Sequence, residues 1–229
     1  MVSAPRLEAV RIPASPGGEV PAGTDRDAPS MRGEREMIRS VFVALALTAL
    51  FAGPALAQGE DEMMKKWKEM ATPGENHKWL DQLAGEWETT TKMWMGGAEG
   101  EAMESKGSAK FTWTLDGRWL RQEYEGSMMG MPFQGEGRTG YDNFRRKFVT
   151  TWTDSMSTAL MYAEGTLDQQ RKQLICFGPM DEWMTGEVGK MTKEVTRIVD
   201  ADTFVFEMHD LHIVPGNTLV MEITYKRKK

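Results

Sequence analysis

Cysteine is almost absent from this chain of 229 residues, because Cys176 is the only one. A single cysteine excludes an intramolecular disulfide, and its apolar neighbours in Leu174–Phe177 predict a buried side chain. Histidine is nearly as scarce, and its three residues form no cluster with cysteine or carboxylates at metal-ligand spacing. Stability must therefore come from an ordinary core, for which eight tryptophans and nine phenylalanines are available.

Positive charge is in deficit, with 28 basic against 34 acidic residues and a net charge of −6. The basic cluster at 226–229 is too small to form a binding face, so we expect no nucleic-acid partner. Nucleophile elbows, phosphate-binding glycine loops and Cys/His pairs are also missing, and we expect no catalysis. Glu123 with Glu125, and Glu207 with His209, share strand faces as an acid and a base would, but solvated faces explain them more simply.

No apolar run approaches the roughly 20 residues that a membrane-spanning helix needs. The longest, Val41–Ala52, has 12 residues, follows Arg39 and precedes Ala55–Ala57. This order of a basic start, a short apolar run and small residues is typical of a secretory signal peptide, here 37–57. We therefore expect cleavage near Ala57 and a periplasmic or secreted mature protein without a membrane span.

The residues before this segment have no hydrophobic period. Their composition is typical of a disordered leader, or translation starts at Met31 or Met37 rather than at Met1. The expected organisation is a leader or incorrectly assigned start over 1–36, a signal peptide over 37–57, a helical lead-in over 58–74, and a β-barrel domain over 75–229.

Helical spacing is confined to the start of the mature chain. Within Glu60–Met70 four apolar residues recur at three- and four-residue steps, which predicts one amphipathic helix; they are Met63, Met64, Trp67 and Met70. Thr72-Pro73-Gly74 ends it, and a second short helix is expected over Glu75–Ala84 with Gly85 as its C-terminal cap.

From Trp87 onward apolar and polar residues alternate, with turn residues every eight to twelve positions. This pattern predicts a mainly β fold, an antiparallel meander barrel of about ten strands preceded by one or two short helices. Asp116-Gly117 is expected to be a two-residue hairpin turn and Met131-Pro132 another turn. One later strand is expected over Thr158–Gly165.

A barrel larger than eight strands can enclose a cavity, so the side chains on inward faces are candidates to line a site for a small hydrophobic or amphipathic ligand. Strand parity selects the candidates Trp113, Gln122, Tyr124, Tyr141, Thr150, Trp152 and Phe206. Aromatic residues in such positions also pack ordinary cores. Inward polar groups such as Gln122, Thr150 and Asp154 would need partners, which a ligand or an ordered water can supply.

Several segments resemble the domain-of-unknown-function 1579 family (DUF1579) of bacterial proteins, over roughly His77–Lys228. The segments that carry the resemblance are Leu83–Trp87, Leu115–Arg118, Gln122–Gly126, Met128–Phe133, Thr139–Asn143, Thr151-Trp152 with Asp154, and Glu222–Arg227. The resemblance implies a compact β domain, often exported, with no established activity.

A looser similarity is to lipocalin-like barrels, which begin with a short helix and a Gly-x-Trp, here Gly85-Glu86-Trp87. The similarity implies that the tryptophan plugs one end of the barrel and that a basic side chain of the last strand, Lys226 or Arg227, covers it.

Two alternatives to ligand binding remain. The first is handling of copper or haem through thioether and imidazole groups, with candidates Met128, Met129, Met131, His209 and His212. The second is an interaction module that docks a partner through the amphipathic segment Glu60–Met70. We expect no bound cofactor, and the sequence does not determine the oligomeric state.

Overall fold

The computed structural model describes residues 60–95, 100–182, 185–213 and 218–229. All of these fall within one compact unit, Gly59–Lys229. The expected leader, 1–36, and signal peptide, 37–57, lie outside the described residues. Across the described part of the chain, no helix has the length and apolar character needed to cross a membrane.

Ten antiparallel strands form a barrel in the described part of the chain. They are β1 (Gly85–Met93), β2 (Met103–Thr114), β3 (Trp119–Met128), β4 (Met131–Asp142), β5 (Lys147–Asp154), β6 (Met161–Leu167), β7 (Gln173–Glu182), β8 (Glu187–Asp200), β9 (Thr203–Asp210) and β10 (Leu219–Arg227). Each strand pairs with the next in sequence, and β10 pairs with β1 to close the barrel. The predicted closed meander of about ten strands is confirmed.

Short helical segments precede β1 at one end of this barrel. Residues 60–71 form helix α1, Glu75–Trp79 form α2, and Leu80–Gln82 form a 3-10 turn. The side-chain amide of Asn143, in the β4–β5 turn, donates to the carbonyls of Glu69, Met70 and Thr72 at 2.9–3.3 Å. It thereby satisfies carbonyls that the end of α1 leaves without helical partners.

The closed end, where β1 begins and β10 ends, is plugged by Trp87. The indole is 1% exposed, donates from Nε1 to the carbonyl of Leu83 at 2.8 Å, and meets Phe204 edge-on at 4.7 Å. The Arg227 guanidinium lies 4.1 Å above its ring and donates to the carbonyl of Ala84 at 2.8 Å. The role expected for Trp87 is confirmed, and Arg227 rather than Lys226 is the covering cation.

Two predicted turns differ from the structure. The β2–β3 link has four residues, Leu115–Arg118, and not two, because Thr114 already pairs with Trp119. The β3–β4 turn consists of Met129 and Gly130, both with positive φ, and not of Met131-Pro132. Positive φ at both central positions suits the right-handed strand twist of a two-residue hairpin.

Strand β6 begins at Met161, three residues later than predicted. Side chains satisfy the preceding backbone locally: Asp154 Oδ1 accepts the Met156 N–H at 2.9 Å, and Ser157 Oγ accepts the Ala159 N–H at 3.2 Å. Such local bonds compete with ladder bonds and delay the strand.

Candidate functional site

A cavity of about 1190 Å³ lies inside the barrel. Its lining begins near the closed end at Leu83 and Phe204 and reaches Met129 and Val188 at the opposite end. Met129 and Val188 are 51% and 83% exposed, so the cavity reaches the surface there. We call this the open end: it comprises the last residues of β1, β3, β5, β7 and β9 and the first residues of the other strands.

Five of the seven predicted cavity residues line this space: Gln122, Tyr124, Thr150, Trp152 and Phe206. Trp113 and Tyr141 do not. Trp113 donates from Nε1 to Asp81 at 2.8 Å, and Tyr141 packs edge-on against Phe148 at 5.0 Å. Both lie near the closed end, where α2 and the 3-10 turn fill the barrel. Strand parity indicates which face a residue occupies but not its depth along the barrel axis.

Trp152 forms one wall of the cavity. Its ring covers Gly135 on the neighbouring strand, where a Cβ would overlap with the indole. It also lies nearly parallel to Phe133, with ring centroids 6.4 Å apart, and meets Tyr124 at the same distance with a steep interplanar angle. The glycine in β4 is therefore needed for the tryptophan to lie flat against the wall.

Most inward polar groups have protein partners. The Gln122 amide donates to the Tyr225 hydroxyl at 3.2 Å, and burial raises the pKa of Tyr225. The Tyr124 hydroxyl accepts from Thr89 at 3.2 Å. The partners that Gln122, Thr150 and Asp154 were expected to need are therefore other side chains and not a ligand or an ordered water.

Asp154 is held by its own strand and the following turn. Its Oδ2 accepts from Trp152 Nε1 at 3.0 Å, and its Oδ1 accepts from the Met156 N–H at 2.9 Å. The carboxylate thus fixes the indole that forms the wall, and both its oxygens are used.

Glu194 is a cavity residue that sequence analysis missed. Its Oε2 accepts from Thr150 Oγ1 at 3.2 Å, and its side chain contributes to the cavity lining. Burial raises the pKa of Glu194, with partial opposition from the Thr150 hydrogen bond. Its strand partners, Cys176 and Met208, face inward, and this pairing was the signal that could have identified it.

A buried ion cluster lies at the open end around Lys190. Its ammonium, on a side chain that is 5% exposed, is 2.6 Å from Asp210 and 2.7 Å from Glu182. Glu187 lies at 3.4 Å. Hydrogen bonds to Asp210 and Glu182 raise the pKa of Lys190, which is therefore charged at neutral pH. The cluster joins β7, β8 and β9 at the rim of the cavity.

Methionine dominates the open half of the cavity. Ten methionines contribute to the lining: Met93, Met95, Met103, Met128, Met129, Met156, Met161, Met180, Met208 and Met221. Unbranched thioether side chains adapt to irregular apolar shapes. This end therefore presents a soft apolar entrance rather than a rigid one.

The five candidate metal ligands are not brought together. Met128 and Met129 lie at the β3–β4 turn, whereas His209 is on β9, which three strands separate from β3 and four strands separate from β4. Its Nδ1 bonds Thr218 Oγ1 at 3.0 Å. Met131 is 48% exposed, and His212 follows the end of β9. No group of three or more histidine, cysteine or acidic residues in the described ranges is placed to hold a metal ion.

Comparisons with solved structures give β-barrels with little sequence identity. Rv2717c from M. tuberculosis is 13% identical with a TM-score of 0.49, and the match covers 69% of this chain and all of that one. A redesigned β-barrel is 12% identical with a TM-score of 0.36, over 65% of this chain and 94% of the design. A de novo fluorescence-activating β-barrel is 10% identical with a TM-score of 0.36, over 65% and 95%. No curated protein matches the chain.

One family model matches residues 72–227, and its description is "Protein of unknown function (DUF1579)". The matched segment begins just before α2 and ends with the last residue of β10, so it includes α2, the 3-10 turn, all ten strands and the cavity lining, but not α1. The resemblance found in the sequence is thus confirmed over the complete barrel, and the chain belongs to the DUF1579 family.

Proposed function

We propose that this protein is exported and binds a small amphipathic ligand inside its barrel. The observation that carries the proposal is the cavity of about 1190 Å³, which reaches the surface at the open end. Pockets that hold small molecules typically measure about 300–1,000 Å³ and combine apolar walls with a few polar groups. This cavity is somewhat larger than that range, so it has room for a small molecule, and it has the required mixture of side chains.

The chemistry of the lining supports an amphipathic ligand rather than a purely apolar one. Phe133, Trp152 and Phe206 supply aromatic surface, and the methionines add adaptable apolar surface towards the entrance. Thr150 and Glu194 supply polar atoms among them. Burial of apolar ligand surface provides the driving force, while the polar groups orient the ligand.

Filling the cavity with a side chain tests the proposal. Thr139 on β4 lines the cavity, whereas Thr112 on β2 is exposed on the outer surface. Calorimetric titration with decanol should show binding to the wild type and to Thr112→Trp. Thr139→Trp should bind at least about tenfold more weakly, because the indole occupies ligand volume. Absence of binding to the wild type, or equal binding by both variants, would contradict the proposal.

Export is supported by the segment 37–57, which has the composition of a cleavable signal peptide. Intact mass of the protein recovered from the periplasm or medium should correspond to a chain that begins at Gln58. Replacing the small residue before the cleavage point, Ala57→Arg, should leave uncleaved precursor. Recovery of the full-length chain from the cytoplasm in both cases would contradict export.

A further inference from the structure

The inside of the barrel carries an excess of negative charge. Among the described residues, strand alternation directs the carboxyl groups of Asp154, Glu194 and Asp210 inward, and Glu182 joins them at the open end. Lys190 is the cation that lies among them. Its ammonium contacts Asp210 and Glu182 and therefore leaves the other two acids without a cationic partner.

These two remaining acids differ in how they are satisfied. Asp154 uses both oxygens, one for the Trp152 indole and one for the Met156 N–H. Glu194 has one hydrogen-bond partner in the described part of the chain, the hydroxyl of Thr150 on Oε2. Its Oε1 is left for a group inside the cavity.

The contact between Thr150 and Glu194 crosses two intervening strands. Thr150 is on β5 and Glu194 on β8, and the inward residues of β6 and β7 between them include Ala163 and Cys176. Because these inward side chains are small, the Glu194 carboxyl can extend across the inner surface of β7 and β6 to the Thr150 hydroxyl on β5. The carboxyl therefore contacts the face of β5 that also carries Trp152, a residue two positions after Thr150.

A cation beside the Glu194 carboxyl would favour its ionised form. Burial raises the pKa of Glu194, and the Thr150 hydrogen bond opposes this in part. The titratable side chain that faces it from β7 is Cys176, whose pKa burial also raises, so the thiol stays neutral and supplies no charge. Met208 faces it from β9 and carries none. A cationic group would stabilise the carboxylate through a charge-assisted hydrogen bond.

We propose that Glu194 and Thr150 form a head-group subsite and that the ligand of this cavity is an amphipathic amine, bound as its ammonium ion. The ammonium donates to Glu194 Oε1, and the apolar part lies along the aromatic walls towards the methionine-rich entrance. The face of the Trp152 ring adds a second favourable surface for a cation near this position. This inference rests on the proposed ligand-binding function and specifies its chemical class.

Three probes with the same chain length separate the head group from the apolar part. Decylamine is protonated at neutral pH, as a lysine side chain is, whereas decanol is neutral and decanoate is anionic. Calorimetric titration of the wild type at pH 7.5 should give the tightest binding for decylamine, weaker binding for decanol and the weakest for decanoate. Glu194→Gln should weaken decylamine at least about tenfold and change decanol less than about twofold.

Two further variants test whether an effect of Glu194→Gln on decylamine binding comes from the subsite. Thr150→Val removes the hydroxyl that positions the carboxyl and should weaken decylamine by a smaller factor than Glu194→Gln does. Glu222→Gln changes an acid that strand alternation places on the outer face of β10, and it should leave all three affinities unchanged. Circular dichroism and thermal unfolding of each variant establish that it is folded.

Proton linkage provides a second readout. Because the ammonium pairs with the ionised form of Glu194, decylamine affinity should rise with pH over the range in which free Glu194 still carries its proton, by at most about tenfold per unit for one proton. In Glu194→Gln this dependence should disappear. Equal binding of all three probes, or decylamine binding that is unaffected by Glu194→Gln, would overturn the amine inference and leave ligand binding intact. Failure of every probe to bind would overturn both.

Discussion

The two ends of this barrel are built from different kinds of side chain. At the closed end, Trp87 is packed against Phe204, hydrogen-bonded to the chain and covered by Arg227. At the open end, methionines line the entrance and an ion cluster around Lys190 ties three strands together. The closed end contains rings in fixed geometry, whereas the open end contains side chains with several rotatable bonds.

This contrast indicates that one end of the strands stabilises the fold and that the other end adapts to a ligand. Tight aromatic packing stabilises a fold because a removed ring leaves a cavity that its neighbours cannot fill. Flexible thioethers stabilise less specifically but accommodate different shapes. The same ten strands therefore provide a rigid closed end and an adaptable open end. Substitutions at the two ends should differ in how much they lower the free energy of unfolding.

The largest effect is expected from Trp87→Ala. Loss of this buried indole should lower the free energy of unfolding by about 3–5 kcal/mol, as is typical of large-to-small core changes. Trp67→Ala on α1 is the control: this indole is 65% exposed, and its loss should cost less than about 0.5 kcal/mol. Urea denaturation followed by circular dichroism measures both. If both variants lowered the free energy of unfolding by similar amounts, the proposal that the closed end stabilises the fold would be contradicted.

A smaller effect is expected from Lys190→Met at the open end. Removal of the ammonium leaves buried carboxylates without their donor and should cost about 2 kcal/mol at pH 7. Lys193→Met, on the outer face of the same strand, should cost less than about 0.5 kcal/mol. If Lys190→Met were neutral at pH 7, the ion cluster would not hold the rim together.

The pH dependence of this cluster has a defined sign. Burial acts to raise the pKa of Asp210, but its hydrogen bonds, including that from Lys190, lower it overall below the ordinary value of 3.8. Asp210 therefore contributes stability above about pH 4 that is lost as the pH falls further. The raised pKa of Lys190 gives a contribution that is present below its ordinary value of 10.5 and is lost at higher pH. In Lys190→Met, the acid-induced loss of stability should be smaller than in the wild type.

An effect similar to that of Lys190→Met is expected at the cavity wall, between the two ends. Gly135→Ala places a Cβ against the Trp152 ring and should cost about 1–3 kcal/mol through overpacking. Combined with Trp152→Phe, whose ring is smaller, the substitution should cost less than it does alone. A double-mutant cycle of unfolding free energies measures this coupling. Strict additivity would show that the glycine and the indole do not constrain each other.

The smallest effects come from reciprocal swaps on β7. Leu174 is 3% exposed and belongs to the packed core, whereas Met180 lies on the same face at the open end. Leu174→Met should cost up to about 1.5 kcal/mol, and Met180→Leu less than about 0.5 kcal/mol, because an adaptable region repacks more easily. Thermal unfolding of the two variants would resolve the difference, and the reverse order would contradict the contrast between the ends.

Much of the fold could be predicted from the sequence because alternation and turn residues act locally. The alternation after Trp87 indicated a barrel of about ten strands, whereas the plug at Trp87 was implied by the similarity of Gly85-Glu86-Trp87 to lipocalin-like barrels. The turns were less accurate: the positive φ values of Leu115 and Asp116 belong to a four-residue link that the Asp-Gly pair does not reveal. Turn length is linked to the register of the two flanking strands, and an Asp-Gly pair does not by itself show where their pairing stops.

The site was predictable in part for the same reason. Parity placed Gln122, Tyr124 and Thr150 on the inner face, but it could not distinguish them from Tyr141, which lies deeper near the plug. Glu194 was missed because an acidic residue on a strand resembles a solvated position. Only the pairing of β8 with its neighbours, and the contact with Thr150 across two strands, reveals that it faces the cavity.

Methionine methyl NMR tests the central claim, that a ligand binds inside the barrel next to the adaptable open end, most directly. The chain carries methionines both in the cavity, such as Met208 and Met221, and on the exposed face of α1, such as Met63 and Met64. On titration of methyl-labelled protein with decanol, the methyl resonances of Met208 and Met221 should shift and saturate together while those of Met63 and Met64 stay unchanged. Shifts confined to Met63 and Met64, or no saturable shift at any cavity methionine, would contradict the account.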